Sequence, residues 1–503
     1  MKKQTISLII LLLLVMLAGI CSLSSHSFWM DEGMRIQFSR ARIEDGYFRH
    51  CWDFMQVGLV HALYLWDSLV GSSEIVLRAF NLPFLMIAAV YMLRILRQLK
   101  LPVWWLLLFA LHPMMVYYMN DTGPYISITA CTCALIWHCF YSPRKYTLCN
   151  TAIIFAWLTL GFSLHFIFGF AGVFYLYALV CRAKEEGSGR FLLKELLVVA
   201  PFAALILFIA WRYMQHMPHG ENQGWGAPGL FNIASSGYCL AGMAGLGLPR
   251  NDMRLGSYHL ITPTMIALAA SLALSLLVLL ILNIRRLLTL LKEPCILSSL
   301  VLGVVFFVAA FTRNFQFRER HVIFLYPMVF IATVYLMQGA WEQRRKWLCR
   351  PWVILTVALL LTSSARLRYV EAYQKDDYKG AINYLQEKCC LDGHMPVLVQ
   401  GERFVYHYYN LLITPRCPVL APRVATSINE LDSPRLLELT RHLLRRFPQV
   451  ALIMTEKEPR TLDLYLNAEQ HFKQQGYQVE VNPEFNTFKV IILKERFPLH
   501  FGF

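Results

Sequence analysis

A chain with run after run of about 20 apolar residues has few folds open to it. Each such run can cross the roughly 30 Å hydrocarbon core of a bilayer as a helix, and only helices or closed barrels satisfy their backbone there. This sequence has eleven such candidates, at 5–23, 75–93, 103–118, 125–141, 147–164, 166–181, 192–211, 261–283, 295–312, 321–340 and 351–364. Several are short or closely spaced. Composition agrees: 57% of the 503 residues are hydrophobic and 16% are charged, against about a quarter charged in soluble proteins. An ordinary soluble enzyme and a disordered chain are both excluded. The expected fold is an α-helical polytopic membrane protein over 1–364.

The net charge of +15 would raise nucleic acid as a partner for a soluble domain. Here the basic residues lie in short clusters between apolar runs, so they report membrane topology and no nucleic acid is expected. Lys2 and Lys3 precede an apolar core that is long for a cleaved signal, and the first segment reads as a retained helix. With the N-terminus cytoplasmic, six loops on that side carry Lys2/Lys3, Arg94/Arg97/Lys100, Arg144/Lys145, Arg182/Lys184/Arg190/Lys194, Arg285/Arg286/Lys292 and Arg344/Arg345/Lys346/Arg350, as the positive-inside rule asks. The opposite side has long loops at about 24–74 and 212–260.

Beyond 364 the apolar runs shrink to strand length, at Val397-Leu398-Val399 and Val450 to Met454, between helical patterns at 378–388, 434–446 and 461–475. Residues 365–503 therefore read as a small α/β domain on the extracytoplasmic face. Of 13 cysteines, many sit inside apolar runs as small hydrophobes. A disulfide between Cys417 and Cys389 or Cys390 is open in an oxidising space. No CxxC, zinc spacing, GxGxxG, Walker A, kinase set, GxSxG or HExxH occurs. With no visible nucleotide motif, any transferred group is expected on a membrane carrier.

Four polar clusters fall at helix ends on the outer side. Phe28-Trp29-Met30-Asp31-Glu32-Gly33 puts two carboxylates beside apolar side chains, where desolvation raises a carboxyl pKa and a base can take a proton from an acceptor. The plainer reading is that Asp31 caps an amphipathic helix over 32–43, with Glu32 favourable to its dipole. Tyr117 to Tyr125 form a short loop with Asp121 as its one charge. Its aromatics suit a sugar, or Asp121 simply caps the next helix. Arg313 to His321 place arginines against the orientation rule, as a phosphate fork held by Glu319 or as contacts to anionic headgroups. His165 stands at another helix end, as a ligand or as a satisfied core residue.

With these positions in view, the chain resembles the GT-C-type membrane glycosyltransferases, in the bacterial branch of the protein O-mannosyltransferase and lipid A aminoarabinose transferase superfamily. Asp31-Glu32 matches the acidic pair after that family's first helix. Gly71-Ser72-Ser73-Glu74 with Arg78 resembles the start of its second helix. His112-Pro113 and Tyr117-Tyr118 through Tyr125 match its second outer loop, with Asp121 at the acidic position. Ser163-Leu164-His165 resembles a helix end, and Arg320-His321 followed by Pro327 the start of a late helix. The resemblance runs in order over residues 5–340. The chain departs from it at three places: Gln56-Val57-Gly58 stands near the usual Pro-Pro pair, Gly123 replaces an arginine, and His321 replaces a tyrosine.

The resemblance implies a bacterial inner-membrane enzyme that moves a sugar from a polyprenyl-phosphate donor to a lipid, glycan or protein acceptor, with inversion. In it Asp31 is the base and Glu32 its catalytic neighbour. Asp121, Tyr125 and His165 shape the substrate site, and Arg318 or Arg320 meets the leaving phosphate. No cofactor is required, although a divalent metal between Asp31 and Asp121 is one arrangement the resemblance allows. Two other classes stand beside this one. A lipid-linked sugar flippase or assembly scaffold should carry acidic residues within its helices, and here the ionisable residues gather at helix ends. An O-antigen polymerase or ligase needs no Asp-Glu pair after the first helix.

Overall fold

The computed structural model describes residues 2–28, 31–33, 35–36, 56–143, 147–186, 189–216, 228–249, 253, 260–370, 373–374, 377–392, 396–399, 433–455, 462–485 and 488–495. Much of both long loops, Arg144 and Lys145, and Cys417 lie outside these residues. The chain divides into two compact units: 1–24 with 39–373, and 25–38 with 374–503.

The first unit is helical. Among the described residues, eight helices are long and apolar enough to cross a membrane: Thr5–Ser22, Glu74–Gln98, Phe166–Ala183, Leu193–Gln215, Pro263–Leu282, Pro294–Thr312, Glu319–Glu342 and Lys346–Tyr369. Val57–Val70, Tyr125–Tyr141 and Leu148–Leu164 are shorter apolar helices. Three corrections to the sequence reading follow. The expected span at 103–118 is two seven-residue helices, Trp105–Leu111 and Pro113–Met119, separated by His112 in an extended conformation (φ −64°, ψ 142°). The cause is local: a residue before proline avoids the helical region. Conversely, Val57–Val70 is helical where a loop was expected. The last helix runs to Tyr369, past the expected limit at 364.

The centre of this unit is Tyr125–Ile136, all of whose residues are buried. It packs against Asn81–Gln98, Leu148–Leu164 and the segment Glu319–Leu325. A π-helical turn, Trp137–Tyr141, continues it.

The second unit is a four-stranded sheet with helices. Strands β1 (Val397–Val399), β2 (Gln449–Thr455), β3 (Tyr477–Phe485) and β4 (Phe488–Glu495) lie in the order β1-β2-β4-β3. β1 pairs parallel to β2, while β4 pairs antiparallel to β2 and to β3. Leu398, Val450, Leu452, Met454, Ile491 and Leu493 form a core with Leu436 and Leu443 of helix Ser433–Leu444 and Leu464 and Phe472 of helix Leu462–Gln474. The segment 25–38 clusters with this unit rather than with the helices that flank it in sequence. One tie is the Lys379 N–H, which donates to Ser27 Oγ at 3.2 Å.

Candidate active site

Asp31 and Glu32 belong to the second unit and lie in helical backbone, residues 31–33 and 35–36. Asp31 is thus inside a helical stretch, not at the N-cap position that the plainer sequence reading gave it. It pairs with Arg35 one turn on, at 4.0 Å, and keeps 14% of its side-chain surface exposed. Glu32 is fully buried. Most of the helix expected over 32–43 lies outside the described residues.

The other candidates are in the helical unit. Asp121 is buried in a tight turn, where its Oδ1 accepts the Gly123 N–H at 2.7 Å. Asn81, at the start of its helix, donates Nδ2 to the Asp121 and Tyr118 carbonyls at 2.7 and 3.3 Å. Asn120 Nδ2 donates to the Ser22 carbonyl at 2.6 Å. The turn is therefore anchored to two helices. Tyr125 opens the next helix and its ring lies 4.4 Å from that of Tyr118. Glycine at 123 has a steric reason: a Cβ there would run into the Tyr125 ring. The arginine that the resemblance leads one to expect cannot be seated without moving Tyr125.

His165 and the 313–321 loop come together. The rings of His165 and His321 are 6.0 Å apart, flanked by Phe166 on His165 and Phe315 on His321, each 5.2 Å from its imidazole. His165 Nδ1 accepts the Ile167 N–H at 3.3 Å, and His321 Nδ1 accepts the Arg318 N–H at 3.0 Å. Both imidazoles are thus built into turns as well as into the cluster. At Gln56-Val57-Gly58, the Val57 N–H donates to Tyr213 Oη at 3.2 Å, and Tyr213 Oη donates to the Ser163 carbonyl at 3.3 Å. The segment that departs from the family pattern therefore seats a helix against the turn that carries His165.

Beside this cluster is a cavity of about 290 Å³, lined by Phe231, Asn232, Ser235, Cys239, Met253, Gln316, Phe317, Arg318 and Glu319. Helix Leu230–Leu240 forms one wall and the 316–319 loop the other. Glu319 is buried, whereas Arg318 and Arg320 are half-buried. The wall mixes two phenyl rings with amides, a hydroxyl, a guanidinium and a carboxylate. That mix suits a small polar ligand carrying an anion. Sequence reasoning found Arg318 because a cation on that side breaks the topology rule. It missed Asn232, whose helix was expected to be loop. No three His, Cys, Asp or Glu side chains converge as a metal site among the described residues.

A bundle of apolar helices followed by an α/β unit defines a polytopic membrane protein, and its likeness to a solved structure gives it the GT-C fold. The chain is similar to the crystal structure of ArnT from Cupriavidus metallidurans in the apo state, with a TM-score of 0.54 over 97% of this chain and 98% of that one, at 12% identity. No family model matches the chain, and no match to it is found among curated proteins. The fold and the eight long apolar helices make it an integral membrane protein.

Proposed function

We propose that the protein is a glycosyltransferase that moves a sugar from a polyprenyl-phosphate donor to a lipid, glycan or protein acceptor, with inversion, at the outer surface of a bacterial inner membrane. The observation that carries this reading is the cavity bearing Arg318 and Glu319 on a GT-C fold. Its volume lies at the small end of ligand pockets, which span about 300–1,000 Å³, and so suits one sugar ring rather than a chain. Phe231 offers a face to the sugar, and Ser235, Gln316 and Glu319 offer hydrogen bonds to hydroxyls.

In the reaction the acceptor oxygen or nitrogen attacks the anomeric carbon and its proton passes to the Asp31 carboxylate. The bond from that carbon to the phosphate oxygen breaks. Polyprenyl phosphate leaves with its new charge beside Arg318 or Arg320, the interaction that grows most in the transition state. Glu32, Asp121, Tyr125 and His165 shape the substrate site. The N-terminus is cytoplasmic and the α/β domain extracytoplasmic.

Asp31→Asn should lower transfer per folded molecule by about 10²–10⁴-fold, as for loss of a general base; because the change also takes the carboxylate from the buried Arg35, the thermal midpoint is measured alongside. Retention of more than half of the wild-type rate in membranes would remove Asp31 from the base role. Mass spectrometry of lipids, glycans and secreted proteins from a deletion strain beside its parent identifies the product. An unchanged profile argues against an envelope transferase. A reporter active only outside the cytoplasm should work after Phe503 and stay silent after Lys346, and the reverse pattern overturns the orientation.

A further inference from the structure

One peptide bond in the cavity wall is held at both of its polar ends by side chains. The Phe317 carbonyl accepts from Asn232 Nδ2 at 2.8 Å, and the Arg318 N–H donates to His321 Nδ1 at 3.0 Å. Phe317, Arg318 and Asn232 all line the cavity. The two clamps come from different elements. Asn232 lies on helix Leu230–Leu240, where its Oδ1 also accepts the Gly229 N–H at 2.9 Å and so fixes the orientation of the amide. His321 lies beyond Arg318 on the segment Glu319–Leu325, with its ring packed between those of His165 and Phe315. An amide that caps its own helix and a ring wedged between two others have little rotamer freedom. They transmit that rigidity to the peptide they hold.

We propose that Asn232 and His321 are positioning residues that fix the Phe317–Arg318 peptide, so that the Arg318 guanidinium is preorganised for the phosphate of the polyprenyl donor. This rests on the donor reading above. The chemistry is that of any anion clamp: an arginine on a free loop loses backbone as well as side-chain entropy when it orders around a phosphate, whereas one on a fixed peptide has already lost the backbone share. The two side chains fix the Phe317–Arg318 peptide from either end. On the other side of Arg318, its carbonyl accepts the His321 N–H at 2.9 Å as the turn Glu319–Leu325 begins.

The test uses the full chain in neutral detergent, with undecaprenyl phosphate as the probe, so that the identity of the sugar does not matter. Asn232→Ser keeps an oxygen that can accept the Gly229 N–H but is too short to reach the Phe317 carbonyl. His321→Phe keeps a ring but has no acceptor, and His321→Asn restores one. Asn232→Ser and His321→Phe should each weaken binding by about tenfold, and His321→Asn should recover part of the loss. Adding Asn232→Ser to Arg318→Ala should change binding by less than about twofold, because the clamp acts through Arg318. Equal losses from Asn232→Ser with and without Arg318 would overturn the inference, as would no loss from either clamp variant. Failure of the wild-type chain to bind the probe would instead overturn the donor reading and the inference with it. Thermal midpoints measured alongside separate loss of the clamp from loss of the fold.

Discussion

The two ends of the helical unit solve the same problem in opposite ways. At the end carrying 137–151 and 182–195, polar side chains are matched to one another. Glu195 accepts from Thr151 at 2.9 Å and from Tyr175 at 2.8 Å and pairs with Arg182 at 3.5 Å, while Arg182 Nη1 also reaches Thr151 at 3.2 Å. Next to it, Tyr91, His138 and Asn150 form a second chain, at 3.1 and 2.7 Å. Asn150 and Thr151 are adjacent, so one turn of helix Leu148–Leu164 joins the two. At the other end, Asn232, Arg318 and Glu319 border a cavity. Buried polar groups that close on each other tie helices together. Polar groups that surround a space are arranged for something that enters it.

If that contrast is right, the first end should break by unfolding and the second by losing activity. The largest effect is expected at Arg182. Arg182→Met leaves the Glu195 carboxylate buried without its cation and should cost roughly 3–5 kcal/mol, read as a lower thermal midpoint with unchanged activity per folded molecule. Arg182→Met combined with Glu195→Leu should regain most of the loss, since an apolar pair of similar volume can replace a buried ion pair. A double variant as unstable as the single one would mean that the cluster does more than tie helices. Arg318→Ala should do the reverse, with transfer down by about 10²-fold and stability within about 0.5 kcal/mol of wild type. Unfolding of that variant would collapse the distinction between the ends.

A smaller effect sharpens the picture of the Asp121 turn. Gly123→Ala pushes a methyl group toward the Tyr125 ring and should cost about 1–3 kcal/mol, as overpacking does. If Tyr125→Ala in the same chain relieves that cost, the ring is what requires the glycine.

The smallest effect lies in the α/β unit, at a pair of charges on its surface. Lys388 Nζ lies 2.7 Å from Glu480, and Tyr384 donates to Glu480 at 2.6 Å. The hydrogen bond from Lys388, then that from Tyr384, hold the Glu480 carboxyl below its usual 4.5. Burial first, then the bond to Glu480, pushes Tyr384 up to about 12. A lowered carboxyl pKa means that stabilisation is full above the unfolded value and fades as pH falls through the folded one. Because Lys388 and Glu480 are each 41% exposed, the contribution should be well under about 1 kcal/mol. Lys388→Met should flatten this part of a urea-stability profile measured between about pH 6 and 3.

Apolar run length located most of the membrane helices, because a hydrocarbon slab sets one length for every span. It failed at 103–118, where counting apolar residues passes over what Pro113 does to His112. It also failed at 57–70, where His61, Asp67 and Ser68 dilute the apolar signal of a real helix. In the tail, the alternation Tyr477, Val479, Val481 and the run Val490 to Leu493 were strand signals that went unread. The site was legible where a charge broke a rule, as Arg318 did. It was not legible where function depends on which backbone group a side chain meets. Nothing in the residues around Asn232 announces a bond to the Phe317 carbonyl across 85 positions of sequence, and the grouping of 25–38 with the tail is equally a matter of tertiary contact.

Helix Tyr125–Ile136 carries a consequence for how the molecule is made. Its serine and threonine hydroxyls are spent on nearby backbone: Ser127 donates to the Pro124 carbonyl, Thr129 to Tyr125 and Thr132 to Ile128, at 2.7, 2.9 and 2.9 Å. Beyond Tyr125 such a segment asks little that is polar of its surroundings, so lipid and protein suit it almost equally. Its partners Leu148–Leu164 and Glu319–Leu325 are synthesised after it, the latter nearly two hundred residues later. The helix that ends at the centre of the unit can therefore leave the ribosome early and wait among acyl chains. It is then enclosed as each later span arrives, and order of synthesis need not match order of packing.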